Sequence, residues 1–572
     1  MRIESRVLPE QLPDLGDLPP LLTRLYAARG VRSAAELGRS LKSLLPWGLF
    51  KGMDKAVQVL REALEQGQSI LIVGDFDCDG ATASAVGALG LRALGAARVD
   101  YLVPNRFEYG YGLTPEIVEV ALTYQPDVLV TVDNGISSVD GVAAARAAGL
   151  KVVVTDHHLP AEQLPEADAI VNPSQPGCDF PSKSIAGVGV IFYVLMALRA
   201  ELRSSGWFNP QRPEPNLGEL LDLVALGTVA DVVPLDANNR ILVHQGLARI
   251  RAGRCRPGIR ALLEVARRPA ERLASTDLGF VIGPRLNAAG RLDDMSLGIE
   301  CLLTDDEQLA RDIAQELDSM NRDRKSIERE MQQQALTMLD SAELQESDMP
   351  FGLCLFDPQW HQGVIGILAS RLKERYHRPV IAFADAGDGQ IKGSARSVSG
   401  LHIRDALDSV AASNPGLISK FGGHAMAAGL SLPIECFEAF REAFDQEVRR
   451  QLCADDLTGR LLCDGELAAE EFNLQLAAAL RDAGPWGQHF PEPEFHGQFK
   501  LIQQRLVGER HLKMVLQSLD STEVLDAIAF NIDPEVWPNP TIGQVRLVYS
   551  LDVNEYRGRQ SLQLMVRHLQ AC

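Results

Sequence analysis

Apolar runs that end on carboxylates limit most strongly what this chain can fold into. The runs at 70–73, 128–132 and 152–154 are almost continuously aliphatic or β-branched. Such runs are typical of strands that are buried on both faces of a parallel sheet. Alanine-rich stretches with few helix-breaking residues, at 81–94 and 139–148, lie near or between them. This alternation predicts an α/β fold with a doubly wound parallel sheet.

Acidic residues follow each of these runs. A fourth apolar run, 223–235, also resembles a strand and contains an aspartate. The carboxylates concerned are Asp75, Asp77, Asp79, Asp133, Asp156 and Asp231. Because ligands of such sheets bind outside the carboxyl ends of the strands, these side chains are expected to converge. So many like charges in one crevice require raised pKa values or cations, so the pattern indicates a divalent metal centre.

The donor set narrows the choice of metal. It consists of carboxylate oxygens with the imidazoles of His157 and His158 and contains no thiolate, which favours Mg²⁺ or Mn²⁺. The segment 75–80 also fits the opening of an EF-hand calcium loop, but position twelve of that loop would be Val86 instead of glutamate. The metal centre after a strand is therefore the favoured interpretation.

Each residue also has a structural alternative. Asp133 could belong to a turn, Asp231 could cap a helix, and the histidines could form a hydrogen-bonded pair. Asp156 could orient a neighbouring ligand instead of binding metal. The joint placement of these residues after apolar runs favours the functional interpretation.

Eight motifs in order resemble those of a known family. They are GDFDCDG, VDNGI, TDHH, GTVADVVPL, GPRLNAAGRLDD, HQGVIGILASRL, GSARS and FGGHAMAAGL. The chain resembles the DHH phosphoesterases, and more closely the bacterial RecJ exonucleases, which degrade single-stranded DNA from its 5′ end. No motif departs from the pattern in a way that indicates an inactive enzyme.

The resemblance implies a two-metal site with Mg²⁺ or Mn²⁺. Its metal ligands would be Asp75, Asp77, Asp79, Asp133, His157 and Asp231. Asp133 would bridge the metals, and the expected catalytic residues are Asp133, Asp156 and His158, with His158 facing the scissile phosphate. A hydroxide held between two metals about 3.5–4 Å apart is a strong nucleophile. The substrate-binding residues expected are Arg285, Asn287, Arg291, His361, Arg396 and His424.

Charge is unevenly distributed along the chain. The net charge is −20, although proteins that bind a phosphate backbone usually carry a basic surface. Residues 240–291 contain eleven arginines, no lysine and three acidic residues, a local charge of +8. Arginine can pair with phosphates and stack on unpaired bases, so this region is a candidate DNA contact, with solvated helix faces as the alternative. Arg285 and Arg291 are expected in a glycine-rich loop.

Composition and spacing predict several domains, and the family resemblance implies the type of the catalytic and second α/β domains. The expected segments are an N-terminal arm (1–45), a DHH phosphoesterase catalytic domain (46–304), a connecting helix (305–343), a second α/β domain of the DHHA1 type that binds substrate (344–454) and a C-terminal β-barrel (455–572). The helix is expected because 305–341 lacks Gly and Pro and has apolar residues at mostly helical spacing. The resemblance makes the barrel an OB fold that binds single-stranded DNA, with Arg505, Arg510, Lys513, Tyr556, Arg557 and Arg559 as candidate contacts.

The nine cysteines are odd in number and form no CxxC pair, so we expect reduced thiols in a cytoplasmic protein.

Three functions stay open. The favoured one is a 5′→3′ exonuclease on single-stranded DNA in repair and recombination, for which the resemblance implies single-strand-binding protein and a helicase as partners. The others are a phosphoesterase for a small phosphate compound and a non-catalytic scaffold.

Overall fold

The structure is a computed structural model that describes residues 1–105, 109, 112–341, 349–519, 522–556 and 558–572. The chain forms two compact units. The larger unit comprises Ser5–Asp318 and Leu462–Cys572, and the smaller unit comprises Met1–Glu4 and Ser319–Leu461. Among the described residues, no helix is both long enough and apolar enough to cross a membrane.

A parallel sheet with its helices makes up the first part of the larger unit. The chain begins with β1 (Arg2–Ser5), most of which belongs to the smaller unit. The elements that follow are α1 (Pro20–Ala27), α2 (Met53–Gln66), β2 (Ser69–Val73), α3 (Cys78–Leu94), β3 (Arg98–Leu102), α4 (Pro115–Leu122), β4 (Val128–Val132), α5 (Val139–Ala147), β5 (Lys151–Thr155), β6 (Ala169–Val171) and α6 (Gly187–Ser204). The sheet has the strand order β3-β2-β4-β5-β6, and every neighbouring pair is parallel. The predicted doubly wound α/β sheet is confirmed.

These strands are continuous apolar runs in the sequence because the sheet is buried on both faces. All five residues of β4 are buried. On one face, Leu71 and Leu129 belong to the core that includes α4 and α5. On the other face, a Cβ on Gly87 of α3 would lie 2.9 Å from Ile72 Cδ1, so α3 packs directly on β2. The sheet reverses its winding between β2 and β4, which is where ligands bind in such folds.

A helical segment follows the sheet, and it corrects two predictions. Its elements are α7 (Leu221–Ala230), α8 (Ala237–Arg251), α9 (Pro257–Val265), α10 (Ser275–Asp277), a π-helical turn (Leu278–Ile282), α11 (Gly283–Leu292) and α12 (Ser296–Leu303). The fourth apolar run is mostly helix, because a run buried on all sides lacks the periodicity that separates strand from helix. The glycine-rich segment is also helix. Gly290 allows close packing there, since its Cβ would lie 2.0 Å from the Phe76 carbonyl oxygen.

The predicted long helix is confirmed as α13 (Glu307–Ser341), which begins in the larger unit and ends in the smaller one. The smaller unit continues with β7 (Leu353–Phe356), α14 (Ile365–Tyr376), β8 (Val380–Gly387), β9 (Gln390–Arg396), α15 (Ile403–Ser413), β10 (Lys420–Gly423), β11 (Ala427–Pro433) and α16 (Phe437–Gln451). Its sheet has the order β10-β11-β9-β8-β7, with only β7 and β8 parallel. The short strand β12 (Arg460–Cys463) pairs with β1.

The C-terminal part of the larger unit is a closed five-stranded barrel, as predicted. It follows α17 (Leu474–Ala483) and consists of β13 (Phe495–Val507), β14 (His511–Ser518), β15 (Val524–Ala529), β16 (Gln544–Tyr556) and β17 (Arg559–Ala571). The strand order is β13-β14-β15-β17-β16, with β15 and β17 parallel. This is the arrangement of an OB fold.

Candidate metal centre

The loop between β2 and α3 positions three of the predicted carboxylates. Asp77 caps α3, and its Oδ1 accepts a hydrogen bond from the Gly80 amide at 3.0 Å. Asp79 is fully buried, and its two oxygens accept from the amides of Gly187 (2.7 Å) and Val188 (2.9 Å) at the start of α6. The buried Asp75 begins the same loop. Two helix starts therefore meet at this cluster.

Asp133 lies directly after β4 in the left-handed backbone region, with φ of 61°. Its amide donates to the Thr155 carbonyl at 3.0 Å, which ties the end of β4 to β5. The side chain is almost completely buried. A Cβ on Gly187 would lie 2.5 Å from Asp133 Oδ1, so only glycine at position 187 leaves room for this carboxylate.

His157 joins carboxylates that come from distant parts of the chain. Its Nε2 lies 3.1 Å from Asp133 Oδ1, 3.5 Å from Asp231 Oδ2 and 4.0 Å from Asp79 Oδ2. Asp231 directly follows the last residue of α7, so its carboxylate is positioned by the end of a helix and not by the end of a strand. The predicted convergence of these four residues is seen in the structure.

Asp156 lies behind His158. Its Oδ1 accepts from His158 Nδ1 at 2.7 Å and from the amides of His157 and His158, and its Oδ2 accepts from the Ile136 amide at 2.9 Å. Burial favours a higher pKa for Asp156, but the bond with His158 and both histidine charges outweigh it, and the pKa is lowered. These contacts match the alternative in which Asp156 orients a neighbour, and its predicted catalytic role stays a prediction.

Among the residues that the structure describes, three groups of side chains could each hold a metal ion. They are Asp75 with Asp77 and Asp133, Asp79 with His157 and Asp231, and Asp133 with His157 and His158, and in each group the donor atoms lie within 4.8 Å of one another. Oxygen donors with an imidazole suit Mg²⁺ or Mn²⁺. Asp133 occurs in two of the groups, as expected of a bridging ligand.

The electrostatics of the cluster also fit divalent cations. Burial and the neighbouring charge of Asp77 raise the pKa of Asp79 to about 7. Burial and the charge of Asp79 raise the pKa values of Asp133 and Asp231 well above the ordinary value. Carboxylates this crowded repel one another in their ionised form, and bound cations offset that repulsion.

Three predicted substrate-binding residues lie on or beside α11. Arg285 bonds Asp318 Oδ1 at 2.9 Å through Nε and the Val281 carbonyl at 2.6 Å through Nη1. Asn287 Oδ1 accepts from the Cys78 amide at 2.7 Å, at the first residue of α3. Asn287 therefore supports the loop that carries Asp77, and Arg285 anchors α13. Their contact with substrate, and that of the half-buried Arg291, stays a prediction.

The other three predicted substrate contacts lie in the smaller unit. His361 Nδ1 accepts from the Gly363 amide at 3.0 Å just before α14. Arg396 pairs in register with Ala427, whose carbonyl accepts from the His424 amide at 2.8 Å. Arg396 and His424 therefore come together at one end of neighbouring strands. Their binding of substrate stays a prediction.

The arginine-rich region is largely occupied by contacts within the protein. At least seven of its eleven arginines bond carbonyls or pair with carboxylates: Arg240, Arg251, Arg256, Arg260, Arg268, Arg272 and Arg285. The region therefore offers fewer cations to DNA than its composition indicates. On the barrel, Arg505, Arg510 and Arg559 are exposed, whereas Lys513 Nζ pairs with Asp526 at 3.3 Å. The side chain of Tyr556 and all of Arg557 lie outside the described residues.

Sequence reasoning missed two supports of the centre. The amides of Gly187 and Val188 hold Asp79, and the Asn134 side chain donates to the carbonyls of Val73 (3.0 Å) and Val132 (2.9 Å). Asn134 thereby joins the ends of β2 and β4. Asn134 stands in the VDNGI motif, so the sequence could have indicated its role. The amides of α6 are backbone groups, which the sequence does not distinguish.

Asp156→Asn is expected to lower kcat for cleavage of a single-stranded oligonucleotide roughly 10- to 100-fold. This is the typical effect of removing a residue that orients the side chains of a metal site. The asparagine side chain cannot satisfy both the His158 ring and the backbone amides as the carboxylate does, so His158 loses its fixed orientation. Steady-state kinetics on a single-stranded oligonucleotide would measure this, with KM separated from kcat. Asp168→Asn is a matched control, because Asp168 bonds the Val152 amide at the opposite end of β5. An unchanged kcat in Asp156→Asn would contradict the positioning role.

Comparison with known proteins places this site in a family. Three family models match: "DHH family, N-terminal domain" over residues 69–228, "DHHA1 domain" over 349–450 and "RecJ OB domain" over 463–568. The single-stranded-DNA-specific exonuclease RecJ of Escherichia coli (strain K12) is 56% identical over 570 residues, which cover 100% of this chain and 99% of that protein.

Solved structures agree with the sequence matches. Crystal structures of RecJ from Thermus thermophilus in complex with Mn²⁺ and with Mg²⁺ match with TM-scores of 0.81 and 0.76, at 31% and 29% identity. Both cover 100% of this chain, and this chain covers 80% and 78% of those chains. Three family models match successive segments of the chain, and the residues of the candidate metal centre belong to the family motifs. The chain therefore belongs to the RecJ family of single-stranded-DNA-specific exonucleases.

Proposed function

We propose that this chain is a metal-dependent exonuclease that hydrolyses single-stranded DNA from its 5′ end and releases 5′-mononucleotides. The observation that carries the proposal is the convergence of five carboxylates and His157 at the carboxyl edge of the parallel sheet. The identity of 56% to a single-stranded-DNA-specific exonuclease over the whole chain supports the substrate. The polarity and the product rest on the family resemblance.

The residues that would hold two divalent metal ions are Asp75, Asp77, Asp79, Asp133, His157 and Asp231. When bound, such ions activate water and neutralise the charge that develops on the phosphoryl oxygens. The chain supplies a rigid frame for this set. The α6 amides donate hydrogen bonds to Asp79, and the left-handed backbone at Asp133 sets the direction of its side chain. Asn287 accepts a hydrogen bond from the first residue of α3.

His158 is the residue that we propose contacts the substrate phosphate. Asp156 Oδ1 lies 2.7 Å from His158 Nδ1, so this carboxylate holds the ring through its Nδ1 edge. The side chain of His158 is 30% exposed, in contrast to the buried Asp156. This exposure lets a ligand reach the ring, while Asp156 keeps the ring in one orientation.

The cellular setting is also part of the proposal. Nine free thiols and a DNA substrate are typical of a cytoplasmic enzyme. We expect single-strand-binding protein and a helicase as partners in repair and recombination, on the basis of the family resemblance. Co-purification of this chain with each candidate partner would test these contacts.

One oligonucleotide tests the activity and its polarity. It is labelled at the 5′ or the 3′ end, kept single-stranded or annealed as a blunt duplex, and incubated with Mg²⁺, Mn²⁺ or EDTA. We expect early release of labelled mononucleotide only from the 5′-labelled single strand, and no cleavage with EDTA because the carboxylates then lack their cations. Early release from the 3′ label would contradict the polarity. The absence of cleavage under every condition would favour the small-phosphate or scaffold alternative.

A further inference from the structure

A groove lies within the larger unit and has no part in the metal centre as described. Its volume is about 400 Å³. Val232 and Phe280 form part of one side, and Trp486, Pro491 and Arg567 contribute from the C-terminal region. The lining is mostly apolar in character, with Arg567 paired to Glu494 at 2.6 Å at its edge.

The groove and the metal centre share one segment of the chain, the end of α7 and the residues that follow it. Val232 follows the metal-ligand candidate Asp231 directly, and it is 61% exposed with φ of 61°. A β-branched residue rarely adopts this left-handed backbone, and such strain clusters at functional sites. The loop is held in place because the Leu235 amide donates to the Gln488 carbonyl at 2.9 Å. The groove thus has a fixed wall one residue from Asp231.

Phe280 presents an aromatic ring to this groove. Its side chain is 80% exposed, which is unusual for phenylalanine. It lies on the π-helical turn Leu278–Ile282, a conformation often found at functional sites. The turn packs on the end of α7, since a Cβ on Gly279 would lie 3.2 Å from Val229 Cγ1. The ring is therefore exposed on a supported segment near Asp231.

We propose that this groove holds a nucleobase of the single strand, stacked on Phe280, while the adjoining phosphate lies at the metal centre. The inference rests on the proposed function and adds a substrate contact to it. Stacking on an aromatic ring accepts any base, because every base has a π-face. A base held in a duplex is already stacked and paired, so this contact favours unpaired DNA.

The test combines a protein variant with a modified strand. Oligonucleotides labelled at the 3′ end carry one abasic site at each of the first positions from the 5′ end. Binding is measured by fluorescence anisotropy in EDTA, where no cleavage occurs, and kcat/KM is measured in Mn²⁺ on the same strands. For the wild type, we expect an abasic site at one position to weaken binding about tenfold, the usual size of one stacking contact.

Phe280→Ala should weaken binding of the intact strand about tenfold and remove the abasic effect at that position, because ring and base act as one contact. Phe280→Trp should retain the wild-type pattern. Trp47→Ala is the matched control, since Trp47 is a partly exposed aromatic residue, 41% exposed, that does not line the groove. Thermal unfolding of each variant confirms that it is folded.

An enzyme that cuts DNA but shows equal abasic effects in the wild type and in Phe280→Ala would overturn this inference alone. So would Phe280→Ala with wild-type binding at every position, the result expected if the groove instead accepts an apolar segment of a protein. A wild-type chain that neither binds nor cuts the intact strand would overturn the proposed function and this inference together.

Discussion

Asp133→Asn is expected to reduce metal-dependent cleavage of single-stranded DNA by at least about a thousandfold, since a bound metal contributes several kcal/mol of transition-state stabilisation. Asp133 contributes to two of the three candidate ligand groups, and its Oδ1 lies 3.1 Å from His157 Nε2. An amide in place of this carboxylate removes the charge that two cations would share. The initial rate of nucleotide release in Mn²⁺ measures the effect.

The structure favours this substitution over others in the site. Asparagine tolerates the left-handed backbone at position 133 and keeps the side-chain volume that Gly187 accommodates. Asp79 is a poorer choice, because both of its oxygens accept amides of α6 and its replacement would also disturb that helix. Asp140→Asn, on the exposed first turn of α5, is the matched control.

A second measurement separates loss of function from loss of structure. In EDTA, Asp133→Asn should unfold at the same temperature as the wild type or a higher one, because a buried carboxylate is removed from a group of like charges. A folded Asp133→Asn protein with wild-type turnover would remove Asp133 from the centre. A variant that melts well below the wild type would require the test to be repeated at another ligand.

Arg29→Met is expected to destabilise the larger unit by about 3–5 kcal/mol, the usual cost of removing one partner of a buried ion pair. Arg29 Nη1 and Nη2 each bond an oxygen of Asp464 at 2.9 Å, and both side chains are at most 1% exposed. Arg29 Nε also donates to the Pro491 carbonyl at 2.7 Å. Without the arginine, the carboxylate of Asp464 stays buried with much of its compensation lost.

Urea unfolding followed by intrinsic fluorescence measures this loss. Arg98→Met is the control, because Arg98 pairs with Asp100 at a site where Arg98 is 53% exposed, and an exposed pair contributes about 1 kcal/mol or less. The double variant Arg29→Met with Asp464→Leu should regain part of the stability, since the buried carboxylate that lost its main partner is then removed as well. A loss below about 1 kcal/mol in Arg29→Met would contradict the role given to this pair.

This pair also bears on how the barrel can be tested. Tyr26 in α1 donates to the Ala483 carbonyl at 2.8 Å, and its ring lies 6.0 Å from those of Trp486 and Phe490. Deleting the C-terminal region would expose these groups along with Arg29. Point variants of exposed barrel residues such as Arg505 therefore test DNA binding more cleanly than a truncated chain does.

Local patterns in the chain were enough to predict several features. Strands β2, β4 and β5 of the five-stranded parallel sheet, the helix α13 and the C-terminal barrel follow from apolar periodicity and from the positions of glycine and proline. The candidate ligand carboxylates after β2 and β4 follow from one topological rule, since parallel strands end at a common edge. These inferences depend on residues close together in sequence, so a single chain suffices for them.

Other features depend on contacts between distant segments. The helical state of α7 and α11, the place of Asp156 behind His158 and the α6 amides on Asp79 follow from what packs around each residue. Arg29 and Asp464 are 435 positions apart, and the groove at Phe280 combines four separate segments. An apolar run has no marked periodicity when it is buried on every side, and a backbone amide has no residue identity. For these features, the physical cause lies in the packing of the folded chain and leaves no local signal.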